Sequence, residues 1–196
     1  MKKKMIFGLA VFIVALVFVY FLFGSPIVLN GNQRELLNIR DTTQSNFNPL
    51  ESIDFSSGDN VAYLLFDKAD IEELPVKMSK KKIFECRNNE ILHKLSTDFV
   101  FVKSNGDMAT CESKIFIYKD SKLVFCSSFV LTDSVVGIQN GVNGWADAQD
   151  KERLKTHFLE FKPINRPIFP PLQVFGLPDL QQMSLSLLMF FEEVVL

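Results

Sequence analysis

The stretch TDFVFVKSNGDMATCESKIFIYKDSKLVF, residues 97–125, decides the reading of the folded part of the chain. β-Branched and aromatic runs alternate in it with turn residues at short spacing, the pattern of antiparallel strands. Thr97 to Lys103 reads as one strand, followed by Ser104-Asn105-Gly106-Asp107, where Asn-Gly supplies the positive φ of a tight hairpin. Ile115 to Tyr118 and Leu123 to Phe125 flank a second hairpin at Asp120-Ser121. Phe99-Val100-Phe101-Val102 and Ile115-Phe116-Ile117-Tyr118 are apolar at consecutive positions, hence on both faces of a strand. Such strands predict a sheet covered on each side, by helices, a second sheet or a partner.

On the N-terminal side, Val61 to Phe66 reads as a buried strand, and Asp70 is placed to cap a short helix over Ile71 to Leu74 that Pro75 stops. Ile83, Phe84 and Cys86 open the meander, which runs from Lys82 to Val136, with a turn at Asn88-Asn89. On the C-terminal side, Gly137, Asn140-Gly141 and Asn143-Gly144 read as a flexible loop ending at Trp145, with neither dinucleotide-binding nor P-loop spacing. Leu154, Phe158 and Phe161 recur at helical spacing after Asp147 or Asp150 and before Pro163, a helix suited to cover one sheet face. The predicted fold class is α+β: an N-terminal transmembrane helix, then a mainly antiparallel β domain outside the cytoplasm with one or two covering helices.

The transmembrane assignment comes from Met5 to Phe23, 19 residues without charge or proline directly after Lys2, Lys3 and Lys4. At helical rise such a run covers about 29 Å, close to the hydrocarbon thickness of a bilayer. The lysines hold the N-terminus inside, because the far flank carries no charge until Arg34. Bulky residues (Phe18, Tyr20, Phe21, Phe23) and no small-residue cleavage site make it a signal-anchor and not a cleaved leader. The chain then divides into a cytoplasmic 1–4, an anchor 5–23, a polar stalk 24–58, a β-rich domain 59–162, and a Pro-rich and apolar tail 163–196. With no Asn-x-Ser/Thr acceptor anywhere, the cell inner membrane with a periplasmic domain is the expected address.

Outside the lysine triplet, 18 Lys and Arg stand against 23 Asp and Glu, a formal charge near −5, which excludes a general nucleic-acid binder. Lys77, Lys80, Lys81 and Lys82 read as a solvated flank. Cys86, Cys111 and Cys126 would face an oxidising compartment. Two-residue hairpin loops set Cys111 opposite Val100 and Val130, and Cys126 opposite Ile115; Cys111 and Ile115 are about 13 Å apart along a strand, beyond the roughly 7 Å a bridge tolerates. A Cys111–Cys126 disulfide therefore needs a bulge or another register. Their closeness in sequence makes them the preferred pair and leaves Cys86 as the unpaired thiol; Cys86 with either one is the alternative.

Leu180 to Leu196 form a second apolar stretch, interrupted by Glu192 and Glu193, in which Leu185 to Phe191 is too short to span a membrane. Docking on the domain, on a partner or on the membrane surface are the three readings, and Leu187, Leu188, Phe190 and Phe191 are the candidate partner contacts. Catalytic signals are sparse. The chain has two histidines, His93 and His157, no G-x-S-x-G, no zinc-ligand spacing and no C-x-x-C. Neither a cofactor nor a small-molecule substrate is identified. The reading is a non-enzymatic single-pass protein whose periplasmic domain binds an envelope protein, as an assembly factor, immunity-type inhibitor or regulator partner. In layout it resembles the small periplasmic partners of membrane-bound transcription factors. An envelope enzyme using a Cys/His site, Cys126 or His157, is the rival; an uncharacterised membrane protein with a structural role is the third reading.

Overall fold

Residues 2–23, 27–29, 46–104, 112–140, 144–166 and 168–169 are described in the computed structural model, and they belong to two compact units, 1–30 with 165–196 and 31–164. In the first, helix α1 (Lys2–Phe23) precedes strand β1 (Ile27–Val28), which pairs in parallel with β11 (Ile168–Phe169). The large side chains described in α1, from Leu9 to Tyr20, are 48–68% exposed. Among the residues whose side chains are described, no helix is long and apolar enough to cross a membrane; in α1 these are Gly8, Leu9 and residues 11–20.

The second unit is built on β2 (Asn46–Phe47), β3 (Asn60–Leu65), β4 (Ile83–Cys86), β5 (Phe101–Lys103), β6 (Lys114–Lys119), β7 (Lys122–Leu131), β8 (Val136–Asn140), β9 (Gly144–Ala148) and β10 (Lys162–Pro163). They form one sheet in the order β10-β4-β3-β6-β7-β8-β9-β5-β2. Every neighbouring pair is antiparallel. Among the described residues three helices accompany the sheet, α2 (Lys68–Ile71), α3 (Asn89–Asp98) and α4 (Lys151–Leu159). The mainly antiparallel α+β class read from the sequence is the one observed.

Alternation along the strands sends Ala62, Leu64, Ile115, Ile117 and Phe129 to one face, where they form a single core with Leu92 and Leu95 of α3 and Leu154 and Phe158 of α4. Aromatic rings knit it: Phe99 meets Phe101 at 4.7 Å and Phe125 at 5.3 Å between centroids, both edge-on. Such pairs add about 0.5–1.5 kcal/mol each beyond the area they bury. The other face is buried as well, with Tyr63 2%, Phe116 0% and Tyr118 5% exposed. Ile115 to Tyr118 is thus the doubly covered strand its unbroken apolar run predicts.

Several local expectations are corrected. Asn88-Asn89 is not a turn between strands. The Asn88 side chain accepts from the amides of Glu90 and Ile91 and starts α3, which runs through Thr97 to Asp98 and buries Leu92, Leu95 and Ser96. An N-cap with apolar residues three apart prevails over the β propensity of Thr97 and its neighbours. Only Phe101–Lys103 remains strand, and Val102 is 37% exposed, so Phe99 to Val102 is not covered on both faces. The cap of α2 is Asp67, whose side chain accepts from the Ala69 amide, and Asp70 lies inside that helix. The hairpin at Asp120-Ser121 is present, with φ of 48° and 63° at the two loop residues, the left-handed pair that a type I′ turn requires. A register shift after Ile117 then sets Cys126 opposite Phe116, not Ile115. The glycine-rich stretch expected as a loop forms the β8–β9 hairpin, pairing Gly137 with Asp147 and Asn140 with Gly144. Phe47, Leu50 and Phe55, assigned by composition to the stalk, belong to the core.

Candidate functional site

Beside β2 the chain leaves an open groove of about 670 Å³ between the segment Asn46 to Asp54 and the second half of α3. Asn48 builds it. Its Oδ1 accepts from the Leu50 amide at 2.9 Å, turning the chain at Asn48-Pro49, and its Nδ2 donates to the Ser96 carbonyl at 2.7 Å. Carbonyls in the last turn of a helix lack intrahelical donors, so this bond both satisfies α3 and ties the second wall to it. Leu50 and Phe47 sink into the core at 1% and 7% exposure, and with Ile53 and Val100 they give the groove an apolar floor. Ser52, Glu51, Asp54, His93 and Thr97 line its exposed part.

Asp54 is held in its charged form. Hydrogen bonds from Ser56, including an amide donor at 2.8 Å, keep its carboxyl below the usual carboxylate range. Lys119 does not reach into the groove as a free cation, because its Nζ donates to the carbonyls of Asp54 and Ser57. His93 stands on the exposed side of α3. Its own carbonyl accepts from Ser96 Oγ at 2.8 Å and Thr97 Oγ1 at 3.1 Å.

A second polar cluster joins α3 to α4. His157 Nε2 lies 2.7 Å from Asp98 Oδ2, and Arg153 Nε lies 2.8 Å from the same oxygen, with His157 and Asp98 only 14% and 11% exposed. The arrangement orients the imidazole and clips two helices together. A third cluster lies on β3 and β4: Arg87 Nη2 donates to the Tyr63 hydroxyl at 2.9 Å, and that hydroxyl donates to Glu85 Oε1 at 3.3 Å. Burial raises the Tyr63 phenol above its ordinary value.

Cys86 is a buried free thiol on the core face, its Sγ 4.0 Å from the Asn88 carbonyl, and burial pushes its pKa up. Cys126 is buried on β7 with Phe116 opposite, on the other face from Cys86, which pairs with Ala62 in line with Ile117 and Phe125. Cys111 lies outside the described residues, and with it the expected Cys111–Cys126 pair; so do Leu187, Leu188, Phe190 and Phe191. Among the described residues no three His, Cys, Asp or Glu side chains converge in a way that could hold a metal ion. The groove residues Asn48, Glu51, Asp54, Ser96 and Thr97 escape a reading of the sequence, although Asn48-Pro49 is a turn-initiating dipeptide that marks one wall. No family model, curated protein or solved structure matches the chain.

Proposed function

We propose that the chain is a single-pass inner-membrane protein whose extracytoplasmic domain binds another envelope protein through the groove beside α3, without catalysing a reaction. The observation that carries the membrane half is α1. It is 22 residues long, which is about 33 Å at helical rise, and no charged residue follows Lys4 within it. The large side chains described in it are exposed to at least 48%, with no polar stripe among them. A helix that is apolar all round suits a protein interior or a bilayer, and the lysine triplet at its start favours a cytoplasmic N-terminus.

The binding half is supported by the groove, a concavity with an apolar floor and a polar rim on the one domain that the anchor would hold near other membrane proteins. Confinement to one membrane raises the effective concentration of such a pair without any added contact. Sheet edges are poorer docking sites here, because β2 and β10 are two residues long and β10 contains Pro163.

Two measurements test the reading. A reporter enzyme that is active only outside the cytoplasm, fused after Arg166, is expected to be active and to remain in the carbonate-washed membrane. Activity confined to a cytoplasmic reporter at the same place overturns the topology. A photo-crosslinking amino acid at Thr97 is expected to capture one envelope protein at a defined segment, and the same probe at Val76, 85% exposed and away from the groove, is not. Equal capture at both positions overturns the groove as the binding surface.

A further inference from the structure

We infer that the groove between residues 46–54 and α3 receives an extended partner segment that carries lysine or arginine beside apolar side chains. This rests on the interaction reading above and names the chemistry that the partner must offer. Among the described residues the lining contains two carboxylates, Glu51 and Asp54, one imidazole, His93, and no lysine or arginine. Both carboxylates are exposed, and Asp54 is kept charged by Ser56. The neighbouring cation, Lys119, has its Nζ on the backbone carbonyls of Asp54 and Ser57, where its charge also helps keep Asp54 ionised, so the rim sets two carboxylates against one cation.

The fold adds to this bias. α3 presents its C-terminal half to the groove, through Ser96 and Thr97, and the carbonyl end of a helix carries partial negative charge. A phosphate or an acidic peptide would meet like charge at the rim and at the helix end. A cationic side chain meets the opposite, and its apolar neighbours find Phe47, Leu50, Ile53 and Val100 below. The groove is open to solvent along its mouth, which suits an extended segment better than an enclosed small molecule.

The test uses the full chain in nanodiscs and three fluorescent ten-residue peptides that alternate leucine with lysine, glutamate or serine. The lysine peptide is expected to bind most tightly, to weaken as salt is raised, and to lose about 2- to 5-fold in affinity with each of Glu51→Gln and Asp54→Asn. Glu73→Gln, an exposed acid outside the groove, is expected to leave binding unchanged. Equal affinity for the three peptides, no binding of the lysine peptide, or insensitivity to both groove substitutions overturns the inference. Cross-linking at Thr97 that persists while the lysine peptide shows no preference would remove this inference alone and leave the interaction reading standing.

Discussion

The indole of Trp145 on β9 lies across Gly137 on β8, so closely that a Cβ built at residue 137 would come within 2.3 Å of Trp145 Cζ2 and 3.0 Å of the Ala146 carbonyl oxygen. The ring is 5% exposed and pinned by its Nε1, which donates to Asp147 Oδ1 at 3.0 Å. A methyl group there must displace the ring or the strand, and overpacking of this kind costs about 1–3 kcal/mol. Gly137→Ala is expected to destabilise the full chain in detergent by that amount, read from its denaturation curve. Trp145→Leu in the same background is expected to recover part of the loss, and an unchanged midpoint for Gly137→Ala would mean that the ring is free to swing out.

Alkaline pH should weaken the fold. Burial raises the Cys86 thiol above 9.0 and the Tyr63 and Tyr118 phenols above 10.0, so the folded state holds these protons more tightly than the unfolded chain does. Stability from such groups is fully present below their unfolded values and is lost as pH climbs above them. A flat stability profile from pH 7 to about 8.5, then a fall beyond about 9, is the expectation from these directions. Tyr118→Phe should reduce that fall. Because the Tyr118 hydroxyl is buried with no hydrogen-bond partner among the described residues, the substitution should also leave the protein at least as stable at pH 7, with a gain of up to about 1 kcal/mol.

The strands around Tyr118 are legible in the sequence because their pattern is redundant. In β3 and β6 the run Val61–Leu64 and the run Ile115–Tyr118 are unbroken apolar sequences, and both prove buried on two faces. The Asp120-Ser121 hairpin is equally readable from its turn residues, yet its register is not, since a bulge has no marker in the side-chain alternation until the pairing is known. Residues 88–98 mislead for a different reason. Thr97, Phe99 and Val100 favour strand locally, while the signal for helix is the Asn88 cap with Leu92 and Leu95 on one face, and an asparagine pair serves a turn as well as a cap. The groove is invisible in the sequence because its walls come from residues such as Asn48 and Ser96, 48 apart in the chain, which the Asn48–Ser96 bond and the β2–β5 pairing bring together. Polar segments such as 46–54 look like linker when two buried residues, Phe47 and Leu50, are their main apolar contribution.

The Asn88 cap carries a prediction of its own. Asn88 Oδ1 accepts from the Glu90 amide at 2.9 Å and the Ile91 amide at 3.4 Å, two of the donors that the start of a helix leaves unpaired. Asn88→Ala is expected to cost about 1 kcal/mol, and Asn88→Asp close to nothing. Hydrogen exchange would check the location. Amides in the first turn of α3 should lose protection before those of β6 and β7.

The Asp98 cluster predicts an asymmetry. Asp98 and His157 are nearly buried, whereas Arg153 is 64% exposed. Removing the carboxylate strands the imidazole without its partner, at a cost of about 1–3 kcal/mol, while Arg153→Ala should cost less than about 0.5 kcal/mol, as exposed ion pairs do. A double-mutant cycle with Asp98→Ala and His157→Ala would isolate the coupling. A double mutant whose loss equals the sum of the two single effects would show that the 2.7 Å contact contributes nothing to joining α3 and α4.

Cys86 separates a packing thiol from a reactive one. A nucleophilic cysteine needs thiolate character and access, which come from positive neighbours and partial exposure. Cys86 has neither advantage: it is 4% exposed, its pKa is raised by burial, and Glu85 and Glu160 push it in the same direction. Treating the native full chain with iodoacetamide at pH 7.5 and mapping the peptides should therefore leave Cys86 unmodified over a time in which a urea-unfolded sample is fully alkylated. Rapid alkylation of Cys86 in the native protein would mean that β4 opens readily at its Cys86 end.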